Sequence, residues 1–514
     1  MTPGNTIMIQ GTASSVGKST IATALCRILM QDGLSVAPFK AQNMSNNSYV
    51  TADGGEMGRA QAVQAAAAGV QPSTDMNPIL LKPEADSHAQ VVLNGRSTGS
   101  VPAREYYRRK TELWGEVAGA LERLRISHDV VVIEGAGSPA EVNLRDSDIA
   151  NMRVALHAQS PVLLVGDIDR GGVFASLLGT LELLHPDERS LVRGLLINQF
   201  RGDRAVLEPL PTMIAERTKV PVIGVVPLIP NLQIREEDAA SLDREVRPGP
   251  CRSGLRAAVI RLPRISNFDD IDPLLRAGVQ VEYVSNAAGL EGAHMVVLPG
   301  TKSTIADLRW MKSRGLDTAV QAAAARGTAV VGVCGGYQML GERLDDPHGA
   351  DSGAPDSEPG IGLLPVRTTF AVEKTTRRVD FTVAAAPGLL DGDGPVTGTG
   401  YEIHTGRTTG TSAPAFAIIG VGSPPRPDGA VDRSGWVLGA YIHGLFDSPQ
   451  VLERLLGNVA RRHGVQPPHV PEFSMEEEFD RLAHVVRETV DMRFIYSLLD
   501  GKMEGRTGKT AVRL

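Results

Sequence analysis

Cysteine is scarce in this chain, with only Cys26, Cys251 and Cys334 among 514 residues. The three are odd in number, far apart and free of CxxC or Cys/His spacing. That excludes a disulfide framework and a zinc site, and it suits a reducing compartment. Positive charge is not in excess either: 52 Lys and Arg stand against 59 Asp and Glu, a net charge of −7. Without a long basic run the electrostatic footprint of a nucleic-acid binder is missing, so any anionic ligand must be held locally. No apolar run reaches the ~20 residues a membrane helix needs. Residues 6–10 run straight into a glycine loop with no charged leader or cleavage site, so a cytoplasmic protein is expected, with no membrane partner. Internal sequence repeats are absent as well.

What is there is length and alternation. A chain of 514 residues exceeds one ordinary core and has room for two full α/β domains plus a tail. In the first half, short apolar strands at 6–10, 35–39, 129–134, 161–167, 194–198 and 220–226 alternate with helical stretches at 19–32, 57–68, 105–124 and 172–184. That is the pattern of a doubly wound parallel sheet with helices on both faces. Around 236–254 the strand signal lapses into charged residues and a Pro/Gly-rich run, the composition of a linker. A second alternating series follows at 256–262, 279–284, 294–298 and 328–333, so a second α/β domain is expected. Residues 345–359 and 420–429, rich in Asp, Gly, Ser and Pro, read as surface loops without chemistry. From Ser474 the chain turns acidic and helical to 499, and 501–514 reads as a disordered tail. The resulting partition is 1–245, a linker at 246–254, 255–451, and a helical extension and tail at 452–514.

Two short stretches carry chemistry. Gly11-Thr-Ala-Ser-Ser-Val-Gly-Lys-Ser19 follows a strand and opens a helix, the context of a phosphate loop. There, backbone N–H groups and the positive helix end surround the phosphates, Lys18 adds a point charge, and the Ser19 hydroxyl can ligate Mg²⁺. Gly11, Gly17, Lys18, Ser19 and Thr20 are therefore the expected ATP-binding residues. Five residues rather than four separate Gly11 from Gly17, a variant similar to the loop of dethiobiotin synthetase and its relatives. Glu134 ends an apolar strand with a carboxylate, the place from which phosphate-loop enzymes reach Mg²⁺. It is the expected second metal contact, with Asp53 and Asp167 as weaker candidates that fit a structural role equally well.

The second stretch is Val330-Val-Gly-Val-Cys-Gly-Gly-Tyr-Gln338, which sets Cys334 at a strand-to-helix turn flanked by glycines. It resembles a nucleophile elbow with cysteine in place of serine. Such a turn exposes the sulfur, and the helix end behind it favours the thiolate and offers N–H donors to an oxyanion. His443 is the expected base, with His404 as its competitor. Cys26, within an apolar helix, and Cys251, in the linker, lack such surroundings.

Together, Cys334 in its Gly-Val-Cys-Gly-Gly-Tyr-Gln setting and the distant His443 resemble a class I glutamine amidotransferase domain of the cobyric acid synthase family. The resemblance extends to nearly the whole chain through Phe39-Lys-Ala-Gln-Asn-Met-Ser-Asn-Asn-Ser48, Asp146-Ser-Asp-Ile-Ala-Asn-Met152 and Gly166-Asp-Ile-Asp-Arg-Gly-Gly172. It implies an ATP-dependent amidoligase domain followed by a glutaminase domain. Leu298-Pro-Gly-Thr-Lys-Ser303 resembles the loop that supplies an oxyanion N–H, from Gly300, with Gly335 and Gln338 as further oxyanion and glutamine contacts. Two residues beyond His443, where the general class carries an acid, stands Leu445, which leaves the orienting acid unidentified. The family's activity would be amidation of the b, d, e and g carboxylates of adenosyl-cobyrinic acid a,c-diamide, using glutamine, ATP and Mg²⁺. Phosphorylating a carboxylate makes it a good acyl donor to ammonia, which explains why a phosphate loop and a glutaminase share one chain. The partners implied are small molecules, and a homo-oligomer is compatible with the sequence. Two rival readings are cobyrinic acid a,c-diamide synthase and a nucleotide-switch ATPase carrying an inactive glutaminase-like domain.

Overall fold

The apolar segments of the first half pair in parallel into one six-stranded sheet, in the computed structural model that describes residues 4–84, 88–234, 254–384, 387–410, 413–420 and 423–500. The strand order is Val222–Pro227, Val192–Phe200, Val162–Asp167, Asn5–Gly11, Val130–Glu134, Val36–Phe39. Most positions in these strands are buried from both sides, which is why they read as apolar runs rather than alternating ones. Ile7 and Ile9 pack on the helix Lys18–Gln31, whereas Met8 packs with Val117, Leu121 and Leu177 of the helices Trp114–Ser127 and Val173–Leu183. The sheet is thus doubly wound, and its central strand Asn5–Gly11 delivers the phosphate loop at its carboxyl end. Ile9 pairs with Glu134 on the neighbouring strand, so that carboxylate arrives at the same edge.

A second sheet follows the same logic, in the order Gln280–Val284, Arg256–Ile260, Met295–Leu298, Ala329–Val333, Val437–Ala440, Ala430–Val431. Only the last short strand is antiparallel. Cys334 leaves the carboxyl end of Ala329–Val333, and His443 lies three residues past the adjacent strand.

Several expectations are corrected. Residues 345–359 and 420–429 are not only loops. Asp356–Pro359 and Ser423–Asp428 are the two edge strands of a third sheet built around the long pair Val366–Val383 and Thr397–Gly410. Edge positions tolerate proline, so Pro359, Pro424, Pro425 and Pro427 misled a reading that took proline as loop. The single helix expected at 105–124 is two, Ala103–Arg109 and Trp114–Ser127, joined by a 3₁₀ turn. The segment between Val36–Phe39 and Val130–Glu134 also holds a four-stranded sheet, Gln42–Met44, Ile79–Pro83, His88–Leu93 and Arg96–Pro102, and a hairpin, Ser48–Val50 with Glu56–Gly58.

This inserted segment meets the second half through buried charge. Glu56 lies between Lys82 at 2.7 Å and Lys374 at 2.5 Å, and Glu84 pairs with Lys302 at 2.6 Å. Burial would push the Glu56 carboxyl up, but the two ammonium groups hold it well below the usual carboxylate range.

The helices after 452 divide their loyalty. Pro449–His463 packs on the second core through Leu452, Leu455 and Val459. Met475–Thr489 and Met492–Asp500 return to the first core, where Phe479, Leu482, Val486, Ile495 and Leu499 join Ile21, Leu25 and Ile28. Arg27 grips Glu476 and Asp480 at 2.5 and 2.7 Å. Residues 246–253 of the expected linker, Cys251 and the expected tail at 501–514 lie outside the described residues. Among the described residues no helix is long and apolar enough to cross a membrane.

Two candidate catalytic centres and the contact between them

At the first centre, the loop after Asn5–Gly11 turns back through Gly17, whose φ of 94° is a left-handed value that favours glycine. A side chain at Gly17 would also run into the Asn198 amide, 2.0 Å from its Cβ. Lys18 is buried and rests its ammonium on the carbonyls of Ala13 and Gly137, at 2.9 and 3.0 Å. Ser19 donates to Glu134 Oε1 at 2.8 Å, Lys40 reaches the same oxygen at 3.0 Å, and Gln64 donates to Oε2 at 2.6 Å. Burial alone would raise the Glu134 pKa, yet the Lys40 charge and these donors hold it low, so the group stands as a carboxylate. A hydroxyl and a carboxylate oxygen converging beside a phosphate loop form a hard-oxygen set of the kind Mg²⁺ takes.

Gly17, Lys18, Ser19, Thr20 and Glu134 share the lining of a cleft of about 750 Å³. Gly11 is outside that lining, and a Cβ on it would lie 2.6 Å from Val16 Cγ2 of the same loop. Asp53 is not brought to this centre. It sits exposed in the turn between Ser48–Val50 and Glu56–Gly58, where Thr51 donates to it, and that bond lowers its pKa. Asp167 is buried, accepts from the Asp169 N–H at 2.8 Å and lies 3.3 Å from Arg170, outside the cleft lining. Neither side chain lines the cleft.

At the second centre, Cys334 has φ 51° and ψ −107°, a strained conformation that the elbow imposes on its nucleophile. The turn is tight enough that a Cβ on Gly336 would lie 2.0 Å from the Leu298 carbonyl. The Cys334 sulfur faces His443, whose own Nδ1 lies 2.7 Å from Asp270 Oδ2. The other Asp270 oxygen accepts from the Gly444 N–H at 2.8 Å. With Nδ1 donating to the carboxylate, Nε2 is left for the sulfur. Burial works to lower the His443 pKa, but the charges of Asp270 and Cys334 and their hydrogen bonds prevail and push it up to about 10. The imidazole beside the sulfur is thus held in its protonated form.

Asp270 is the orienting acid that the sequence left unidentified. It comes from the 3₁₀ turn Phe268–Ile271, 173 residues before His443, while Leu445 at the usual position is buried in the core. The only sequence signal was an acid-rich stretch, Asp269-Asp-Ile-Asp272, whose first two acids are buried.

Gly300 lies against the histidine: a Cβ there would sit a tight 3.0 Å from His443 Cε1. Gly335 abuts Thr301 in the same way, so the Gly300 loop and the elbow stand side by side. Gln338 is buried behind Cys334, its amide oxygen accepting from the Thr304 hydroxyl at 3.1 Å and its NH₂ donating to the Tyr441 hydroxyl at 3.2 Å. His404 stacks on Tyr441 and bonds the Gly406 carbonyl at 2.8 Å. Cys26 is fully buried, and burial pushes its thiol pKa up, away from reactivity.

The CobQ/CobB/MinD/ParA nucleotide binding domain matches residues 7–241, and the CobB/CobQ-like glutamine amidotransferase domain matches residues 256–451. Cobyric acid synthase of Dehalococcoides mccartyi (strain CBDB1) is 49% identical over 96% of this chain and 98% of its own length. That of Sorangium cellulosum (strain So ce56) is 50% identical over 95% and 97%. This chain belongs to the cobyric acid synthase family. Membership agrees with the α/β architecture of both halves and with nucleotide and glutamine use. Among solved structures, PurLQS from Thermotoga maritima covers 40% of this chain, and 98% of its own, at 18% identity. Its TM-score is 0.31, at which the likeness carries no argument. In this family member the two halves touch through the ion pairs of Glu56 with Lys374 and of Glu84 with Lys302.

Proposed function

We infer that the chain is a cobyric acid synthase, a glutamine-hydrolysing ligase that amidates the b, d, e and g carboxylates of adenosyl-cobyrinic acid a,c-diamide at the cost of ATP. The observation that carries this reading is the coexistence, in one chain matched over 96% of its length by a member of that family, of a Cys334–His443–Asp270 centre and a Lys18–Ser19–Glu134 centre. Cys334 attacks the glutamine amide, and N–H groups at Gly300 and Gly335 take the developing oxyanion. His443 passes its proton to the departing ammonia, and water then releases glutamate. Gly17, Lys18, Ser19 and Thr20 hold the nucleotide, so that its γ-phosphate can convert a substrate carboxylate into an acyl phosphate. Ser19 and Glu134 would hold Mg²⁺, which shields the phosphate charge.

The division into 1–245, 255–451 and a C-terminal extension is adjusted by the return of 475–500 to the first core. A cytoplasmic location suits the free thiols and the small-molecule substrates.

The test compares product formed per ATP with glutamine and with ammonium. Cys334→Ser should lose synthesis from glutamine and keep it from ammonium, whereas Lys18→Ala should lose both. Retention of ammonium-driven amidation by Lys18→Ala, or loss of both activities in folded Cys334→Ser, would overturn the assignment.

A further inference from the structure

The helix Arg59–Ala67 belongs to the nucleotide-binding half, yet its first residue enters the glutaminase centre. Arg59 is buried. Its guanidinium donates to the Tyr401 hydroxyl, lies 4.9 Å from the Tyr401 ring and pairs with Asp269 at 3.3 Å. Those two residues are the supports of His443. Tyr401 stacks on the imidazole at 5.2 Å with rings 16° from parallel, and it exchanges backbone hydrogen bonds with His443 at 3.1 and 2.9 Å. Asp269 precedes Asp270 in the same 3₁₀ turn. Asn267 ties the arrangement together, donating to the Tyr401 hydroxyl at 3.0 Å and accepting from the Ser48 N–H at 3.1 Å.

The same helix also touches the other centre. Gln64, five residues on, donates to Glu134, and five residues of helix rise only ~7.5 Å. A helix this short acts as a rigid rod. A buried guanidinium is costly to strip of its carboxylate, so Arg59 and its partners move together. Any ligand that takes Glu134 away from Gln64 therefore acts on the foot of a rod whose head holds both supports of the histidine.

We propose that Arg59 is a positioning residue for the glutaminase, through which the nucleotide-binding half sets the orientation of His443 and hence the rate of glutamine hydrolysis. The proposal rests on the reading given under Proposed function. It needs no contact between Arg59 and the reacting atoms, because Arg59 acts through Tyr401 and the turn that carries Asp270.

The experiment uses the full chain and three variants: Arg59→Met, Arg59→Lys and Tyr401→Phe, the last keeping the stacked ring but not the hydroxyl. Glutamate release is followed against pH, with and without a non-hydrolysable ATP analogue and Mg²⁺, beside ammonium-driven amidation. Arg59→Met should lower kcat/KM for glutamine by ~10²-fold, the size expected when a reacting group is misplaced by about 1 Å. Ammonium-driven amidation should stay within about two-fold of the parent, which reports an intact fold and synthetase. With the Arg59 charge removed from beside Asp269 and Asp270, the acid limb of the glutamine profile should move to higher pH. Arg59→Lys should restore the acid limb but not the full rate, since an ammonium lacks the fork that spans both partners. Tyr401→Phe should show a smaller rate loss of the same kind. The analogue should change glutamate release in the parent and not in Arg59→Met. An unaltered profile and rate in Arg59→Met, an equal fall of glutamine- and ammonium-driven activity, or a parent insensitive to the analogue would overturn the proposal. If the parent itself fails to amidate with either nitrogen source, the assignment of function falls instead.

Discussion

Replacing Asp270 with asparagine tests the assignment of the orienting acid. Both of its oxygens are engaged, one by His443 Nδ1 at 2.7 Å and one by the Gly444 N–H at 2.8 Å. An asparagine side chain has one carbonyl oxygen and one NH₂, so it can accept from only one of these donors. If the oxygen serves Gly444, the NH₂ faces Nδ1, drives the ring proton to Nε2 and removes the base facing the sulfur. If it serves His443, two N–H groups confront each other at Gly444. In both cases the charge that helps push His443 up to about 10 is gone. The corresponding change in a serine triad costs ~10⁴ in kcat. A thiol ionises more readily than a hydroxyl, so we expect ~10²–10³-fold here, about 3–4 kcal/mol of barrier. The sign for stability follows from the raised pKa. The charged imidazolium contributes fully below its unfolded value of ~6.5 and is lost as pH rises through about 10. The Tm gap between parent and variant should therefore be widest below about pH 6.5 and narrow steadily as the pH rises to about 10. Glutamate release with initial rates from pH 6 to 10, beside ammonium-driven synthesis, measures the first effect, and thermal melts over a wider range measure the second. A variant that hydrolyses glutamine within about three-fold of the parent would refute the role given to Asp270.

Glu134→Gln should raise the Mg²⁺ concentration needed for half-maximal synthesis and lower stability by about 3 kcal/mol, because Lys40 is then buried facing a neutral amide. Adding Lys40→Met should recover most of the Tm and none of the turnover. Stability unchanged by Glu134→Gln would contradict the buried pairing. Phe479→Ala should cost about 3–5 kcal/mol, the usual range for an aromatic side chain removed from a core. A loss below about 1 kcal/mol in denaturant melts would show that the returning helix merely rests on the first half.

How much of this could be read beforehand depended on what each segment packs against. Segments such as 130–134 and 329–333 stand inside parallel sheets, so burial leaves a run of Val and Ile that announces itself. The phosphate loop and the elbow are local, and local chemistry shows in consecutive letters. Val366–Val383 and Thr397–Gly410 were missed because their outward positions carry Thr, Arg, Glu and Gly, which blur the alternation. Asp270 was invisible for another reason. Its meaning lies in a 2.7 Å contact with a residue 173 positions away, and no spacing encodes that. Gln338, a conspicuous polar residue beside Cys334, has contacts hidden in the same way, with Thr304 and Tyr441, 34 and 103 positions away.

The return of residues 475–500 to the first half has a bearing on how the molecule is made. The early helix Lys18–Gln31 presents Ile21, Leu25 and Ile28 to a core that is completed by Phe479, Leu482 and Ile495. The half that is translated first is therefore completed last, after the glutaminase half has been threaded between its two pieces. Asn5 Nδ2 even bonds the Leu499 carbonyl at 3.0 Å, so the opening strand and the closing helix touch. Expression of 1–245 alone should yield a domain with a bare apolar flank. Joining 475–500 to that domain through a short linker should supply the missing wall, and a permuted chain that opens on 475–500 should fold its sheet in order of synthesis.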